Sequence, residues 1–347
     1  MLEKLRQAGT PLGEFVSGRF FYGIKTGLNE AFLVDRETRD QLMAEDPSSA
    51  EVIKPFIRGR DVKRWRIDQD SLWLLFVPWH FPLHLDKSIK GSSAKAEREF
   101  EKRYPAIYAH LARFKKDLSK RNRAETGVRY EWYALQRWGA DYWEEFGRAK
   151  IVYPDIYQHQ SFAWDDSGLF PGNTCYFIPE SPKWLCGLLN SSVVEYFYSA
   201  ICNRIRGGYL RAFSDYMTQV PIPLADSVQA TAIERLVDYL HWLHGAESSI
   251  DSEEGASRTL LAGYFEQWVN AMVYELFFPE VFRQAKLAFF RFATDAILPP
   301  LSELPRGREM AALRAKFEEM YAPNHPLRQG LYALDSIPEV RIIEGKA

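Results

Sequence analysis

The alternation of apolar and polar positions is most informative over residues 150–192. The apolar run Ile151-Val152-Tyr153 is typical of a strand that is buried on both faces. A second apolar run over residues 175–178 predicts another strand, and the pattern over residues 181–192 predicts a helix. We therefore expect this segment to form the rigid centre of a mixed domain. Its predicted core residues are Ile151, Val152, Tyr153, Phe177, Leu185 and Leu188.

The segment before this centre has a mixed pattern. Residues 20–24 and 31–34 predict two strands of a hairpin, with turn residues between them. Residues 36–46 predict a short helix, and residues 72–77 predict a strand that ends at Pro78. Apolar residues at helical spacing predict helix over residues 92–121.

Beyond residue 224 the apolar pattern is helical throughout. Helices are predicted over residues 230–244, 260–278, 281–298 and 306–321. The sequence thus predicts an α+β fold with two parts. A mixed, β-rich domain with packed helices covers residues 1–224, and an all-helical region covers residues 225–347.

The overall charge selects no class of partner, because the 347 residues carry a net charge of −2. Any surface that binds a polyanion must therefore be local. The three cysteines have no CxxC spacing, which favours free thiols in a reducing cytoplasm. No apolar run reaches the roughly 18 residues that span a bilayer, and the first residues do not resemble a signal peptide. We expect a cytoplasmic protein without a membrane partner.

Three basic segments are candidates for contact with a polyanion. A solvated face is the usual explanation of clustered charge. The segment over residues 203–213 differs, since its three arginines lie around Gly207-Gly208 and no acid occurs between residue 203 and Asp215. It combines backbone freedom with guanidinium forks. In order of preference, the candidate DNA-binding residues are Arg204, Arg206, Tyr209 and Arg211, then Lys25, Thr26 and Asn29, then Arg58, Arg60, Lys63 and Arg64.

Catalytic and metal-binding patterns are missing from the sequence. His80 and His84 are four residues apart, but Pro82 prevents them from sharing a helical face. Asp155 followed by Glu180 and Lys183 has the wrong spacing for a metal-dependent nuclease. Neither a GxSxG motif nor the Asn-Pro-Pro-Tyr motif of amino-methyltransferases is present. We predict no catalytic residue and no metal ligand in this chain.

The order of several short motifs nevertheless resembles a known family. The chain is similar to the TaqI-like C-terminal specificity domain of Type IIG restriction–modification enzymes and adenine-N6 DNA methyltransferases, over about residues 15–225. The motifs are Gly23-Ile-Lys-Thr-Gly, Tyr104-Pro-Ala-Ile-Tyr, Glu131-Trp-Tyr-Ala-Leu, Lys150-Ile-Val-Tyr-Pro-Asp-Ile, Thr174-Cys-Tyr-Phe-Ile, Gly187-Leu-Leu-Asn-Ser and Val220-Pro-Ile-Pro.

This resemblance implies a target recognition domain for double-stranded DNA over residues 1–224 and a helical spacer or docking region over residues 225–347. It also implies that a methyltransferase domain or subunit outside this chain carries out methyl transfer. S-adenosylmethionine is then expected only for that missing part, and no cofactor is expected in this chain.

Two other interpretations stay open at this point. In the first, the chain is a protein-interaction subunit whose basic segments are solvated. In the second, it is a nuclease or methyltransferase fragment with its own activity. The missing motifs make the second less attractive, and the neutral net charge is compatible with the first.

Overall fold

A computed structural model describes residues 1–68, 71–86, 88–89, 91–121, 131–205, 207–245, 253–294 and 297–346. It confirms the predicted α+β fold, in which short strands form several small sheets and helices make up the C-terminal region. Within these ranges, no helix has both the length and the apolar character needed to cross a membrane.

The strands are short, and most of them lie before residue 180. In chain order they are β1 (Thr10–Pro11), β2 (Phe21–Tyr22), β3 (Leu33–Asp35), β4 (Ile53–Ile57), β5 (Val62–Lys63), β6 (Arg66–Ile67), β7 (Leu72–Leu75), β8 (Lys150–Pro154), β9 (Ile156–Tyr157), β10 (Ala163–Asp165), β11 (Phe170–Pro171), β12 (Cys175–Pro179), β13 (Arg204–Ile205), β14 (Tyr209–Arg211) and β15 (Pro221–Ile222).

Several helices begin at a side-chain cap. The Asp35 carboxylate accepts a hydrogen bond from the Thr38 N–H at 2.8 Å, as is usual at helix N-termini. The helices are α1 (Leu2–Gln7), α2 (Leu12–Phe15), α3 (Asn29–Phe32), α4 (Arg36–Glu45), α5 (Ala94–Arg103), α6 (Pro105–Ala112), α7 (Lys115–Leu118), α8 (Lys183–Leu189), α9 (Ser192–Ile201), α10 (Ser214–Met217), α11 (Ser227–Gly245), α12 (Glu253–Phe277), α13 (Pro279–Gln284), α14 (Glu309–Met320), α15 (Pro326–Ala333) and α16 (Pro338–Ile343).

The central sheet is built on β8 and has four antiparallel strands in the order β10-β8-β12-β2. All five residues of β8 are buried, as the continuous apolar run predicts. A second four-stranded sheet has the order β11-β4-β7-β3, and a three-stranded sheet has the order β13-β14-β9. Because β8 leads through Asp155 directly into β9, the central sheet positions the three-stranded sheet.

Two hydrophobic cores pack against the opposite faces of the central sheet. Ile151 and Ile178 belong to the core that also contains the C-terminal helices. Val152 and Phe177 point the other way, into the core of the second sheet and of α5 and α6. This alternation follows from the two-residue period of a strand. It explains why β8 has no exposed face.

A buried ion pair joins β8 to the edge of this sheet. The Lys150 Nζ lies 2.5 Å from Asp165 Oδ2, and both side chains are buried. Lys150 also donates to the Phe146 carbonyl at 2.7 Å, and Asp165 Oδ2 accepts from the Leu169 N–H at 3.0 Å. Burial lowers the pKa of the Lys150 ammonium, and the charge of Asp165 opposes that effect. The polar atoms of the pair are therefore satisfied inside the core.

Trp65 connects the N-terminal part of the chain to the C-terminal helices. Its indole Nε1 donates to Glu266 of α12 at 2.6 Å, and its carbonyl oxygen lies 3.0 Å from Nδ1 of His241 in α11. The first core contains residues from both sides of position 225, from Leu5 to Ile343. The division into residues 1–224 and 225–347 stays a prediction.

The hairpin predicted over residues 20–34 is wrong. Strand β2 pairs with β12, whereas β3 pairs with β7 in the other four-stranded sheet. Asn29 starts the one-turn helix α3, and Lys25 forms a backbone bridge with Arg137. The apolar pattern identified the buried residues, but it did not identify their pairing partners, which are distant in the sequence.

Two further expectations are also corrected. The loop predicted around Arg204 and Arg211 contains the paired strands β13 and β14. The helix predicted over residues 281–298 is limited to α13, which ends at Gln284. A 3₁₀ turn follows at Phe290–Phe292. Apolar side chains at irregular spacing fill the core there without a continuous helix.

We predict that Lys150→Met destabilises the protein by about 3–5 kcal/mol, because it leaves the buried Asp165 carboxylate without its counter-charge. Guanidinium-induced unfolding measures the loss. The matched control is Lys150→Met combined with Asp165→Leu, which removes both charges and should recover most of the stability. Equal stability of the single variant and the wild type would contradict this role of the ion pair.

Candidate nucleic-acid interface

A cleft of about 610 Å³ opens where the loops of several sheets meet. Its lining comes from residues 58–60, which follow β4, from residues 154–156 between β8 and β9, and from residues 172–174 before β12. Asn29 at the start of α3 and the apolar side chains of Leu33, Phe56 and Leu72 also line it. Segments that are far apart in the sequence thus form one concave surface, the shape expected of a binding site.

Close backbone packing holds the lining segments together. The Gly59 N–H donates to Thr174 Oγ1 at 2.7 Å, and the Gly172 N–H donates to the Ile57 carbonyl at 2.8 Å. A Cβ atom on Gly59 would lie 2.4 Å from the Thr174 carbonyl oxygen, so a side chain there requires the backbone to move. Glycine at position 59 is needed for this close approach.

Arg58 and Arg60 differ in their freedom, although they are separated by one residue. Arg58 Nε lies 3.0 Å from Asp61 Oδ2 and Arg58 Nη2 lies 3.1 Å from Asp61 Oδ1, which is a bidentate pair. The Arg60 side chain is 71% exposed, and its contact with Asp61 is 3.8 Å long. Arg58 is consequently held in place at the cleft, whereas Arg60 extends into solvent at its rim.

Of the candidates at residues 25–29, Asn29 lines the cleft. Thr26 is buried, and its Oγ1 donates to Asn29 Oδ1 at 2.6 Å. The Thr26 carbonyl also accepts a hydrogen bond from Arg121 Nη1 at 2.7 Å. Thr26 therefore orients the Asn29 side chain from below the surface, and Lys25 lies beside Arg137 in the backbone bridge.

The β13–β14 hairpin lies at the edge of the cleft. Arg211 pairs with Ile156 of β9, and the Ala212 N–H donates to the Asp155 carbonyl at 2.9 Å. Tyr209 and Arg211 are exposed while Leu210 between them is buried. Arg204 is exposed on β13. Arg206 lies outside the described residues.

Lys63 and Arg64 do not line the cleft. Lys63 is exposed on β5, where it pairs with Arg66 of β6. Arg64 Nη2 lies 3.3 Å from Glu266 Oε2 of α12. The Arg64 guanidinium thus contributes to the contact between the two parts of the chain, next to Trp65.

The cleft also contains residues that the sequence reasoning did not propose as binding residues, namely Asp155, Asn173 and Thr174. The sequence pattern indicates Asp155 only as a candidate nuclease acid. Burial raises the pKa of the Asp155 carboxyl, and the charge of Arg211 acts against that rise. Its position directly after a buried strand was the available signal, because strand ends commonly carry binding residues.

The cleft carries no set of side chains that could hold a metal ion. Throughout the described residues, no three His, Cys, Asp or Glu side chains lie close enough together to do so. The described cysteines, Cys175, Cys186 and Cys202, are buried free thiols. The chemistry that the cleft supports is binding through guanidinium groups, amides and a carboxylate.

The fold is mixed α+β, and the cleft is a candidate binding surface made of loops. Comparison with known proteins shows which family it resembles. Residues 54–222 match the family model described as "TaqI-like C-terminal specificity domain". This match confirms the resemblance that the motifs of the chain indicate.

Similar proteins include the Type II methyltransferase M.MjaIV of Methanocaldococcus jannaschii, which is 24% identical over 221 residues, 62% of this chain and 68% of the relative. The Type II methyltransferase M.BstVI of Geobacillus stearothermophilus is 22% identical over 220 residues, 62% of this chain and 35% of the relative. Among solved structures, the Type IIL restriction–modification enzyme MmeI in complex with DNA is similar, with 15% sequence identity and a TM-score of 0.48. The match covers 87% of this chain and 35% of the MmeI chain. The chain thus spans about a third of the length of M.BstVI and MmeI.

We predict that Gly59→Ala destabilises the protein by about 1–3 kcal/mol, since the added methyl group collides with the Thr174 carbonyl oxygen. Thermal unfolding measures this loss. Gly147→Ala is the control, because nothing lies within 4 Å of a Cβ atom at that position. If the two variants unfold at the same temperature, the close packing of residues 58–60 against residues 172–174 does not hold the cleft together.

Proposed function

We propose that this chain is the sequence-specific DNA recognition module of a restriction–modification system. In this function it positions duplex DNA for an adenine-N6 methyltransferase domain or subunit outside the chain. The proposal rests mainly on the cleft, which combines Asn29, Arg58 and Arg60 and has Arg211 at its edge. The match of residues 54–222 to a specificity-domain family supports the same conclusion.

Exposed guanidinium groups neutralise phosphates in this proposal. Arg60 and Arg211 are both exposed, so each can approach a DNA backbone. Contacts of this kind set the register of the protein on the duplex but carry no sequence information. Arg204 and Lys63 extend the basic surface beyond the cleft.

Side chains that are held in place read the bases in this proposal. Thr26 occupies Asn29 Oδ1, so the Asn29 amide group is left to donate to an acceptor on a base edge. Arg58 is fixed by Asp61 and lines the cleft. Fixed donors discriminate between base edges better than mobile ones, because a wrong base leaves them unpaired.

Methyl transfer and the binding of S-adenosylmethionine are assigned to the methyltransferase domain or subunit. Such enzymes act on a base that is extruded from the duplex, so they need the DNA to be held in a fixed register. Residues 225–347, which contain α11 to α16, serve as a helical spacer or docking region for that partner. The complex acts in the cytoplasm, together with the DNA.

The double variant Arg60→Ala/Arg211→Ala should weaken binding to duplex DNA and reduce the slope of log K against log salt by about 2, since each lost phosphate contact removes about 0.9 from it. Binding isotherms at several salt concentrations measure the slope. Arg306→Ala/Arg308→Ala is the charge-matched control, because both arginines are exposed and lie far along the chain from the cleft. An unchanged slope in the cleft variant would rule out these two contacts.

A second measurement separates the proposal from its alternatives. We expect neither DNA cleavage nor methyl transfer when the purified chain is incubated with plasmid, Mg²⁺ and labelled S-adenosylmethionine. Cleavage or label incorporation would instead support a fragment with its own activity. A chain that does not bind duplex DNA even at low salt would support the protein-interaction subunit.

A further inference from the structure

The Asp155 carboxylate is the group in the cleft that phosphate binding does not explain. It lines the same cleft as Arg58 and Arg60, and it is partly buried. A carboxylate repels phosphate groups, so at this position it opposes the contacts that the neighbouring arginines make. A different interaction with the ligand must account for an acid here if the cleft binds DNA.

The backbone of Asp155 is fixed from both sides. Its N–H donates to the Thr174 carbonyl at 2.9 Å, and its own carbonyl accepts from the Ala212 N–H at 2.9 Å. The residue directly follows the fully buried strand β8. Its position relative to the cleft is therefore set by the central sheet and by the hairpin that carries Arg211.

The side chain of Asp155 keeps acceptor capacity for a ligand. In the part of the chain that the structure describes, no other side chain forms a hydrogen bond or an ion pair with it. The nearby N–H groups of Asp155 and Ile156 and the charge of Arg211 lower the pKa of its carboxyl, and burial outweighs them. Since a carboxylate has about four acceptor positions, several remain available. A role limited to holding Arg211 would require an ion pair between the two.

The chemistry of base edges selects the partner. In the major groove, hydrogen-bond donors come only from the exocyclic amino groups, N4 of cytosine and N6 of adenine. A fixed carboxylate accepts from these groups and is disfavoured opposite guanine and thymine, which present acceptors and no amino group in the major groove.

We infer that Asp155 determines specificity by accepting a hydrogen bond from the amino group of a cytosine or adenine in the target sequence. This inference rests on the proposed DNA-binding function and adds a residue and a base class to it.

Selection from a randomised duplex library tests the inference on the full chain. The wild type should select an amino-bearing base at one position, and Asp155→Asn should lose about tenfold of that discrimination while other positions of the selected sequence stay unchanged. Asn matches Asp in size but both donates and accepts, so it no longer rejects acceptor groups. Asp141→Asn removes an exposed carboxylate outside the cleft and is the control.

Base analogues then identify the atom. At the affected position, cytosine is replaced by 2-pyrimidinone, or adenine by purine, and each replacement removes the amino group alone. The wild type should bind the analogue duplex about tenfold more weakly than the parent duplex, whereas Asp155→Ala, which has no side-chain acceptor, should bind the two about equally. The analogue for which this difference appears shows whether the contacted base is a cytosine or an adenine.

The outcomes separate this inference from the proposed function. A wild-type chain that binds no duplex overturns both. A wild-type chain that binds with a sequence preference that Asp155→Asn leaves intact overturns the role of Asp155 alone. A uniform loss of affinity for every duplex, together with a lower unfolding temperature, assigns Asp155 a structural role and also overturns the inference.

Discussion

The buried pair between Lys150 and Asp165 is the constraint on which the rest of the domain depends. Two charges removed from water are costly unless they face each other with their other hydrogen bonds satisfied. The two residues lie directly opposite each other in β8 and β10, so any slip of the register would separate them. The pair thus favours one alignment of the central sheet. That alignment also determines where β8 ends and where Asp155 enters the cleft.

Rigidity is transmitted from this sheet to the cleft by backbone packing. A Cβ atom on Gly59 would collide with the Thr174 carbonyl oxygen, and one on Gly172 would collide with the Phe56 ring. The N–H groups of the two glycines donate to Thr174 Oγ1 and to the Ile57 carbonyl. The cleft is therefore made of loops with a conformation fixed by strands on either side. A surface of this kind can carry different exposed side chains without a change of fold, which is how loops on a rigid scaffold commonly provide specificity.

The pattern of the sequence predicted the elements better than it predicted their arrangement. The strand β8, the helix α4 and the all-helical character after residue 224 follow from local periodicity, and the structure has them. The pairing of β2 with β12 depends on residues about 150 positions away, and local patterns contain no information about such contacts. Two apolar runs that are adjacent in the sequence therefore predict a hairpin here, although each run pairs with a distant strand.

The same limit applies to the site. The number of charges in the sequence does not distinguish Arg58, which Asp61 holds in place, from Arg60, which is exposed. The difference arises from the turn, which places only the Arg58 guanidinium against the Asp61 carboxylate. Nor could it detect that Asn29, Arg60 and Asp155 face one cavity, since three different sheets and a helix bring them there. A cleft with cations on its rim and a carboxylate within it is poorly suited to binding phosphate alone. It is better suited to a duplex, on which the backbone is uniformly negative and the base edges carry both donors and acceptors. This mixture of charges therefore favours a ligand that is contacted both at its backbone and at its base edges.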